Sequence, residues 1–276
     1  MEIIDFADNV YLKDGIWFSK NNRDISYPKE GNMNCYEIEK DSFWFQHRNN
    51  CILETVRFYS EHETFFDIGG GNGYVAKGLE DNNIKTVLVE PGLEGALNAK
   101  KRGLSNIICS TFEDAGIKVN SCKSIGLFDV VEHIADDQQF LMSVYSNLAV
   151  NGFVYITVPA YNFLWSKEDA DAGHYRRYTK RQICRVLEDS GFKIQYATYI
   201  FSILPLPVFF FRTIPSFFWL KRNSSDLSKH KQEHSQRKGL IALILNFIWN
   251  KEISYIKQKK KIPFGGSCLV VAKKTS

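Results

Sequence analysis

The chain has 276 residues, 44% hydrophobic and 24% charged, a balance that suits a folded globular unit and excludes a disordered or fibrous chain. Its 35 Lys and Arg against 31 Asp and Glu leave a net charge of +4, too little to argue for a nucleic-acid partner by itself. That charge is uneven: residues 221–261 hold 11 basic and three acidic residues, a local +8, so the rest of the chain sums to −4.

Taken in chain order, residues 1–40 read as turns and short extended pieces, and a helix follows over about 42–60 with Phe43, Phe45, Ile52, Val56 and Tyr59 on its apolar side. From residue 64 the pattern alternates. Strands are predicted at 64–68, 86–90, 106–109, 123–131, 152–158, 191–199 and 267–274. Helices are predicted at 74–80, 93–102, 138–148 and 179–190, the last capped by Thr179 and ended by Gly191. Near-continuous apolar strands separated by amphipathic helices indicate a mostly parallel sheet covered on both faces, with the final strands able to pair antiparallel at one edge. More than 60 residues separate the last two strands, too many for a loop, and their content predicts a helical insertion. The expected organisation is an N-terminal cap over 1–60, a core of 61–203 plus 264–276, and an apolar and basic insertion over 204–263.

Six cysteines, at 35, 51, 109, 122, 184 and 268, are scattered without a CxxC pair, so neither a zinc site nor a disulfide framework is indicated. Free thiols in a reducing cytoplasm are expected, and the first residues show no basic or apolar leader.

The sharpest local signal is PheAspIleGlyGlyGlyAsnGlyTyr at 66–74, after an apolar strand and before a helix. Gly69, Gly71 and Gly73 let the backbone approach a ligand, and Glu90, at the end of the next strand, can accept both hydroxyls of a ribose. A dinucleotide fold requires GxGxxG, whereas Ala76 and Lys77 stand beyond Gly73; no Walker-type GKS or GKT follows either. Asp67 followed by GxGxG resembles motif I of class I S-adenosylmethionine-dependent methyltransferases. LeuPheAspValValGluHisIleAlaAspAsp (127–137) and AsnGlyPheValTyrIleThrValProAla (151–160) resemble the fourth and fifth strands of methyltransferase type 11 or 12 domains. The likeness covers roughly residues 40–200 and the last strand. It implies a Rossmann-like α/β fold with a seven-stranded mostly parallel sheet, helices on both faces and a helical insertion before the last strand. It further implies S-adenosyl-L-methionine as cofactor, S-adenosyl-L-homocysteine as product and no metal. Asp67 would stand near the methionyl end and Glu90 at the ribose. Phe112 would cover the adenine, and Glu113 or Asp114 would accept from its amine.

Ligands in open α/β sheets bind beyond the carboxyl ends of the strands, where Glu132 and His133 fall. Glu132 is expected to enclose the cofactor or cap the local backbone. His133 has the intrinsic pKa of a base near neutrality. The following connection, 160–179, resembles the W-S-x-x-D-x-x-x-G-H-x-R-R-Y signature of a bacterial methyltransferase subgroup linked to surface-glycan or lipid-linked metabolism, with Trp165, Ser166, Asp169, Gly173, His174, Arg176, Arg177 and Tyr178 matching. His174 is the first candidate base, with His133 and Asp169 behind it. Trp165, Arg176, Arg177 and Tyr178 are expected at the acceptor, and rigid guanidinium forks suit an anionic one. A polar network holding these same side chains internally is the competing expectation.

Ile194–Phe211 has no charged residue but is broken by prolines, and Gly239–Trp249 is too short to span a bilayer. The insertion therefore reads as a cap over the active site, or as a surface whose Phe209–Phe211 and Phe217–Trp219 meet a membrane while its basic residues face anionic lipid. No nucleic-acid module is present. The leading expectation is methyl transfer, preferably to oxygen, on a small-molecule or lipid- or glycan-linked acceptor. The alternatives are an NAD-type oxidoreductase or epimerase and a non-catalytic adenosyl-ligand-binding protein at a membrane.

Overall fold

The computed structural model describes residues 3–21, 36, 38–40, 42–60, 63–217 and 240–275. The polar stretch 223–238, Trp219, Cys35 and the basic residues from Lys221 to Lys238 lie outside them, as does the side chain of Phe217.

The described strands form one sheet in the order β1-β2-β5-β4-β3-β6-β7-β9-β8. Strands β3 (Phe65–Ile68), β4 (Thr86–Val89), β5 (Ile107–Cys109), β6 (Cys122–Phe128) and β7 (Leu148–Pro159) run parallel. Strand β9 (Ser267–Lys273) inserts antiparallel between β7 and β8 (Lys193–Ile200), as the missing crossover implied. The expected seven strands are thus present, but the sheet has nine. A hairpin of β1 (Val10–Lys13) and β2 (Ile16–Ser19) extends it beyond β5. Asp14 and Gly15 turn that hairpin with φ of 49° and 73°, the paired positive values of a type I′ turn. Residues 10–19 therefore belong to the core sheet, a correction to the cap expected over 1–60.

Alternating side chains assign the two faces. Phe66 and Ile68 pack with Leu141, Val144, Ile183 and Leu187, on the side of α4 (Asp137–Asn147) and α6 (Lys180–Asp189). Phe65 packs oppositely with Ile52, Val56 and Leu79, from α1 (Phe43–Ser60) and α2 (Tyr74–Glu80). Every residue of β3 and β4 is buried, which explains their mainly apolar runs and leaves Asp67 as the one charged side chain within them. Between β4 and β5 lies α3 (Leu93–Lys101), and α5 (Lys167–Asp171) is a short helix in the β7–α6 connection. Thr179 and Gln182 form a reciprocal capping box at the start of α6, and Gly191 ends that helix with φ of 96°.

The insertion is helical where described: α7 (Pro205–Val208), a π turn over Phe209–Thr213, α8 (Ile214–Phe217) and α9 (Leu240–Lys257). Helix α9 is tied to α1 and to the end of β8 through buried Glu252. Its carboxylate pairs with His47 Nε2 at 2.9 Å and accepts from the N–H groups of Phe201 and Ser202 at 2.9 and 2.7 Å. Stacking of Phe43 on Trp249 at 4.8 Å adds an apolar contact. Among the described residues no helix is long and apolar enough to cross a membrane.

Candidate active site

The glycine turn joins β3 to α2. Gly69, Gly71 and Gly73 all have positive φ, at 66°, 55° and 72°. At Gly73 a Cβ would also fall 2.5 Å from Leu104 Cδ1 and 2.9 Å from Ala99 Cβ, so packing and dihedral both demand glycine there. Glu90 reaches across from the end of β4, accepting from the Gly71 N–H and the Gly92 N–H, each at 2.8 Å. The carboxylate thereby braces the turn and keeps acceptor capacity for a ligand.

Asp67 is fully buried beneath the turn, and neither of its oxygens has a side-chain partner among the described residues. Burial raises its pKa to about 7, opposed by the charge of Arg48 and the Ala76 N–H and assisted by Glu90. Glu132 lies in a short turn after β6 (Val131–His133), with no exposed surface and both oxygens unpartnered among the described residues. Burial, reinforced by Asp129, pushes its carboxyl well above the usual range. Two buried carboxyls whose nearby cations, Arg48 and Arg177, are already paired with Asp129 and Asp169 are costly to ionise unless a ligand supplies positive charge. That is a fit to an adenosyl cofactor bearing an ammonium and a sulfonium.

In the loop after β5, Phe112 is 5% exposed and its ring packs edge-to-face on Phe140 at 6.0 Å within the core. Glu113 is exposed, while Asp114 is buried, its N–H donating to Thr111 Oγ1.

The connection after β7 is a polar network. His174 Nδ1 lies 2.9 Å from Asp169 Oδ1, and Arg177 grips the same carboxylate from Nε at 2.7 Å and Nη2 at 3.0 Å. The Ser166 N–H adds a bond of 2.9 Å, closing the capping box of α5. Burial alone would raise the Asp169 carboxyl, but bonds from His174 and Arg177 and the guanidinium charge outweigh it and hold it at about 2. Asp169 is therefore an acceptor that orients its neighbours rather than a base, which corrects the expectation. Arg177 also donates to the Ala160 carbonyl, so its fork is spent inside the protein. Tyr178 is buried in the core and donates to Asp137 at 2.6 Å, which places it in the framework rather than at an acceptor. Arg176 pairs with Asp137 at 2.9 Å but keeps a side chain 33% exposed, and Trp165 is half-buried.

The His133 and His174 rings meet edge-to-face at 4.7 Å, and one ligand atom from each lies with one from Glu132 inside a sphere of contacts under 4.8 Å. Burial, with the neighbouring His174, depresses His133 to about 4, so it is neutral near pH 7. The structure thus gathers His133, His174, Glu132 and Asp169 at the ends of β6 and β7, and Asp67, Glu90 and the glycines at the ends of β3 and β4. Reading the sequence missed Arg48 of α1, which pairs with Asp129, and Glu39, which pairs with Arg102 and accepts from Asn72 at 3.1 Å. Neither carries a local motif.

A family model described as a methyltransferase domain matches residues 44–197, more than half of the chain. The chain belongs to this family, within the class I S-adenosylmethionine-dependent methyltransferases, and the dinucleotide-dependent class is set aside. Solved structures share the fold at low identity. A chain of the complex between the Haloferax volcanii Trm112 methyltransferase activator and its methyltransferase is 14% identical, with 90% of this chain and 94% of that one covered and a TM-score of 0.56. The Haemonchus contortus phosphoethanolamine N-methyltransferase 2 is 16% identical, with 90% and 58% covered and a TM-score of 0.55. A Thermotoga maritima S-adenosylmethionine-dependent methyltransferase is 14% identical, with 90% and 100% covered and a TM-score of 0.54. No curated protein matches the sequence.

Proposed function

We propose that this methyltransferase modifies an oxygen of a small-molecule acceptor, and that it belongs to the type 11/12-like bacterial subgroup whose loop signature it carries. The observation that carries the chemistry is the His174–Asp169 pair at 2.9 Å. An acceptor on Nδ1 fixes the imidazole tautomer and leaves Nε2 with its lone pair for an acceptor proton. Asp169, kept ionised by Arg177, then stabilises the imidazolium that forms. His133, neutral and in ring contact, shapes the pocket beside it.

In this reading Asp67, Gly69, Gly71, Gly73, Glu90 and Glu132 hold the cofactor, with Glu90 at the ribose. The loop of Phe112 and Glu113 borders the adenine, Phe112 by supporting it from the core. When bound, S-adenosylmethionine supplies a methyl group on a sulfonium and leaves as the neutral thioether. The protein's share is alignment of the acceptor oxygen and removal of its proton. Trp165 and Arg176 line the acceptor side, and the exposed Arg176 suits an anionic group. The structural neighbour that methylates phosphoethanolamine supports a small acceptor.

The insertion favours a second element of the reading, a lipid-linked acceptor met at an anionic membrane surface. Leu206, Phe210, Phe211, Leu243, Ile244 and Phe247 are all exposed on α7, the π turn and α9. Exposed apolar side chains on both segments suit the headgroup layer of a bilayer. Of the lysines at the end of α9, Lys257 pairs with Glu54 at 3.4 Å and Lys259 lies 3.5 Å over the Phe58 ring, so part of the basic set is spent on α1.

The test is transfer of labelled methyl from S-adenosylmethionine into lipid, small-molecule and macromolecular fractions of a cell extract, with His174→Ala alongside. Label in the lipid or small-molecule fraction, lost in the variant, is expected. Label confined to protein or RNA refutes the acceptor class, and undiminished transfer by the variant refutes the base.

A further inference from the structure

Two charged side chains from the segment ahead of and within α1 reach two walls of the cofactor site, the 129–133 loop and the glycine turn. Arg48 is 9% exposed; its Nη1 pairs with Asp129, and its guanidinium lies 4.6 Å from the Trp44 ring centre and 5.3 Å from that of Phe45. Asp129 opens the loop that carries Glu132 and His133. Its φ is 57°, an unusual value for a residue other than glycine, and Thr157 Oγ1 donates to it at 3.0 Å from β7. On the other wall Glu39 accepts from Asn72 of the glycine turn and pairs with Arg102, whose Nε donates to the Asn72 carbonyl at 2.9 Å. The two walls also touch: a Cβ on Gly69 would fall 2.9 Å from Val130 Cγ2.

We propose that Arg48 is a positioning residue for the cofactor site, holding the 129–133 loop at a fixed separation from the glycine turn that Glu39 holds, and supplying the positive charge shared by the buried acids between them. The proposal rests on the assignment of Asp67 and Glu132 to the cofactor. No other described cation is so placed. Arg177 approaches Glu132 but is occupied by Asp169, and Arg102 serves the outer side of the turn. Arg48 Nε has no partner among the described residues, so the guanidinium is not spent on the Asp129 pair alone. Around Asp67, the charged groups are Arg48 from α1 and Glu90 from β4, with the Ala76 N–H from α2. Around Glu132 they are Asp129, Arg48 and Arg177. Arg48 thus favours ionisation of both acids, and its removal moves their titration upward.

The experiment is calorimetric titration of the full chain with S-adenosylhomocysteine between about pH 6 and 9, using the parent, Arg48→Lys, Arg48→Met and Asp129→Asn. The parent should bind more tightly as pH rises through about 7, where Asp67 ionises. Arg48→Met should bind about tenfold more weakly or worse, with the midpoint of its pH dependence displaced upward. Arg48→Lys, which keeps the charge, should keep the parent's midpoint. Asp129→Asn should lose affinity without any upward displacement of the midpoint, because it frees the loop, spares the cation and removes a negative charge beside Glu132. It carries the test if Arg48→Met does not fold. Parent-like affinity in Asp129→Asn, or a parent-like midpoint in Arg48→Met, overturns the inference. A parent chain that binds no S-adenosylhomocysteine instead overturns the cofactor assignment beneath it.

Discussion

Replacing Asp169 with Asn preserves shape but removes the charge on which His174, Arg177 and the Ser166 N–H converge. The carboxyl sits at about 2 in the folded protein against an ordinary 3.8. That difference is worth roughly 2–3 kcal/mol to the ionised native state. Because the folded value is the lower one, this stabilisation is complete above the unfolded pKa and is lost as pH falls through the folded one. The side chain is almost entirely buried, so solvent screening takes little from it. For a chain of this size the loss corresponds to a melting temperature lower by about 5–10 °C at neutral pH. The assay is thermal unfolding of parent and Asp169→Asn at steps between about pH 7 and 3. The gap between them should be widest at neutral pH and narrow by about half toward pH 3, since the parent's carboxylate protonates fully only below about 2. S-adenosylhomocysteine affinity should stay within a few-fold, since the proposed function puts this network on the acceptor side. A gap that is constant with pH would refute the ionic account of this network, and a large loss of cofactor affinity would refute its separation from the cofactor cleft.

Gly73→Ala should destabilise the fold by about 2–3 kcal/mol in denaturant titration, since the new Cβ meets Leu104 and Ala99 at a left-handed backbone position. Glu90→Ala should weaken S-adenosylhomocysteine binding by about a hundredfold in calorimetry, through loss of the brace on the Gly71 N–H and of the acceptor proposed for the ribose. Glu252→Ala leaves the buried N–H groups of Phe201 and Ser202 unsatisfied and unpairs His47. A stability loss of about 3 kcal/mol in chemical denaturation is expected, with hydrogen exchange in α9 accelerated most. Gly71→Arg should abolish cofactor binding in a folded chain, checked by calorimetry beside circular dichroism.

What could be read along the chain was local. Apolar runs, helix caps such as Thr179 with Gln182, and the glycine turn after Phe66 depend on neighbours within a few residues, so the alternating strands and helices were legible. The hairpin of β1 and β2 carried a legible mark in Asp14-Gly15 flanked by Val10–Lys13 and Ile16–Ser19, but its place beyond β5 is a non-local pairing. The candidate acids at 67, 90 and 132 could likewise be named from strand ends.

What the chain order could not show is which side chain answers which. His174, Asp169 and Arg177 lie in one loop, and only the folded geometry assigns the carboxylate to the His174 ring and the Arg177 guanidinium and so removes it from the list of bases. Tyr178 has the composition of a ligand-binding residue, yet a single bond to Asp137 from an element 41 residues away makes it framework. Arg48 and Glu39 had no motif because their partners, Asp129 and Arg102, are brought to them by the packing of α1 on the sheet. Backbone conformation and hydrophobic period are set by short-range sterics and solvent exclusion, which sequence encodes directly. The charge and protonation of a site depend on burial and on partners remote in the chain, and those exist only once the fold has formed.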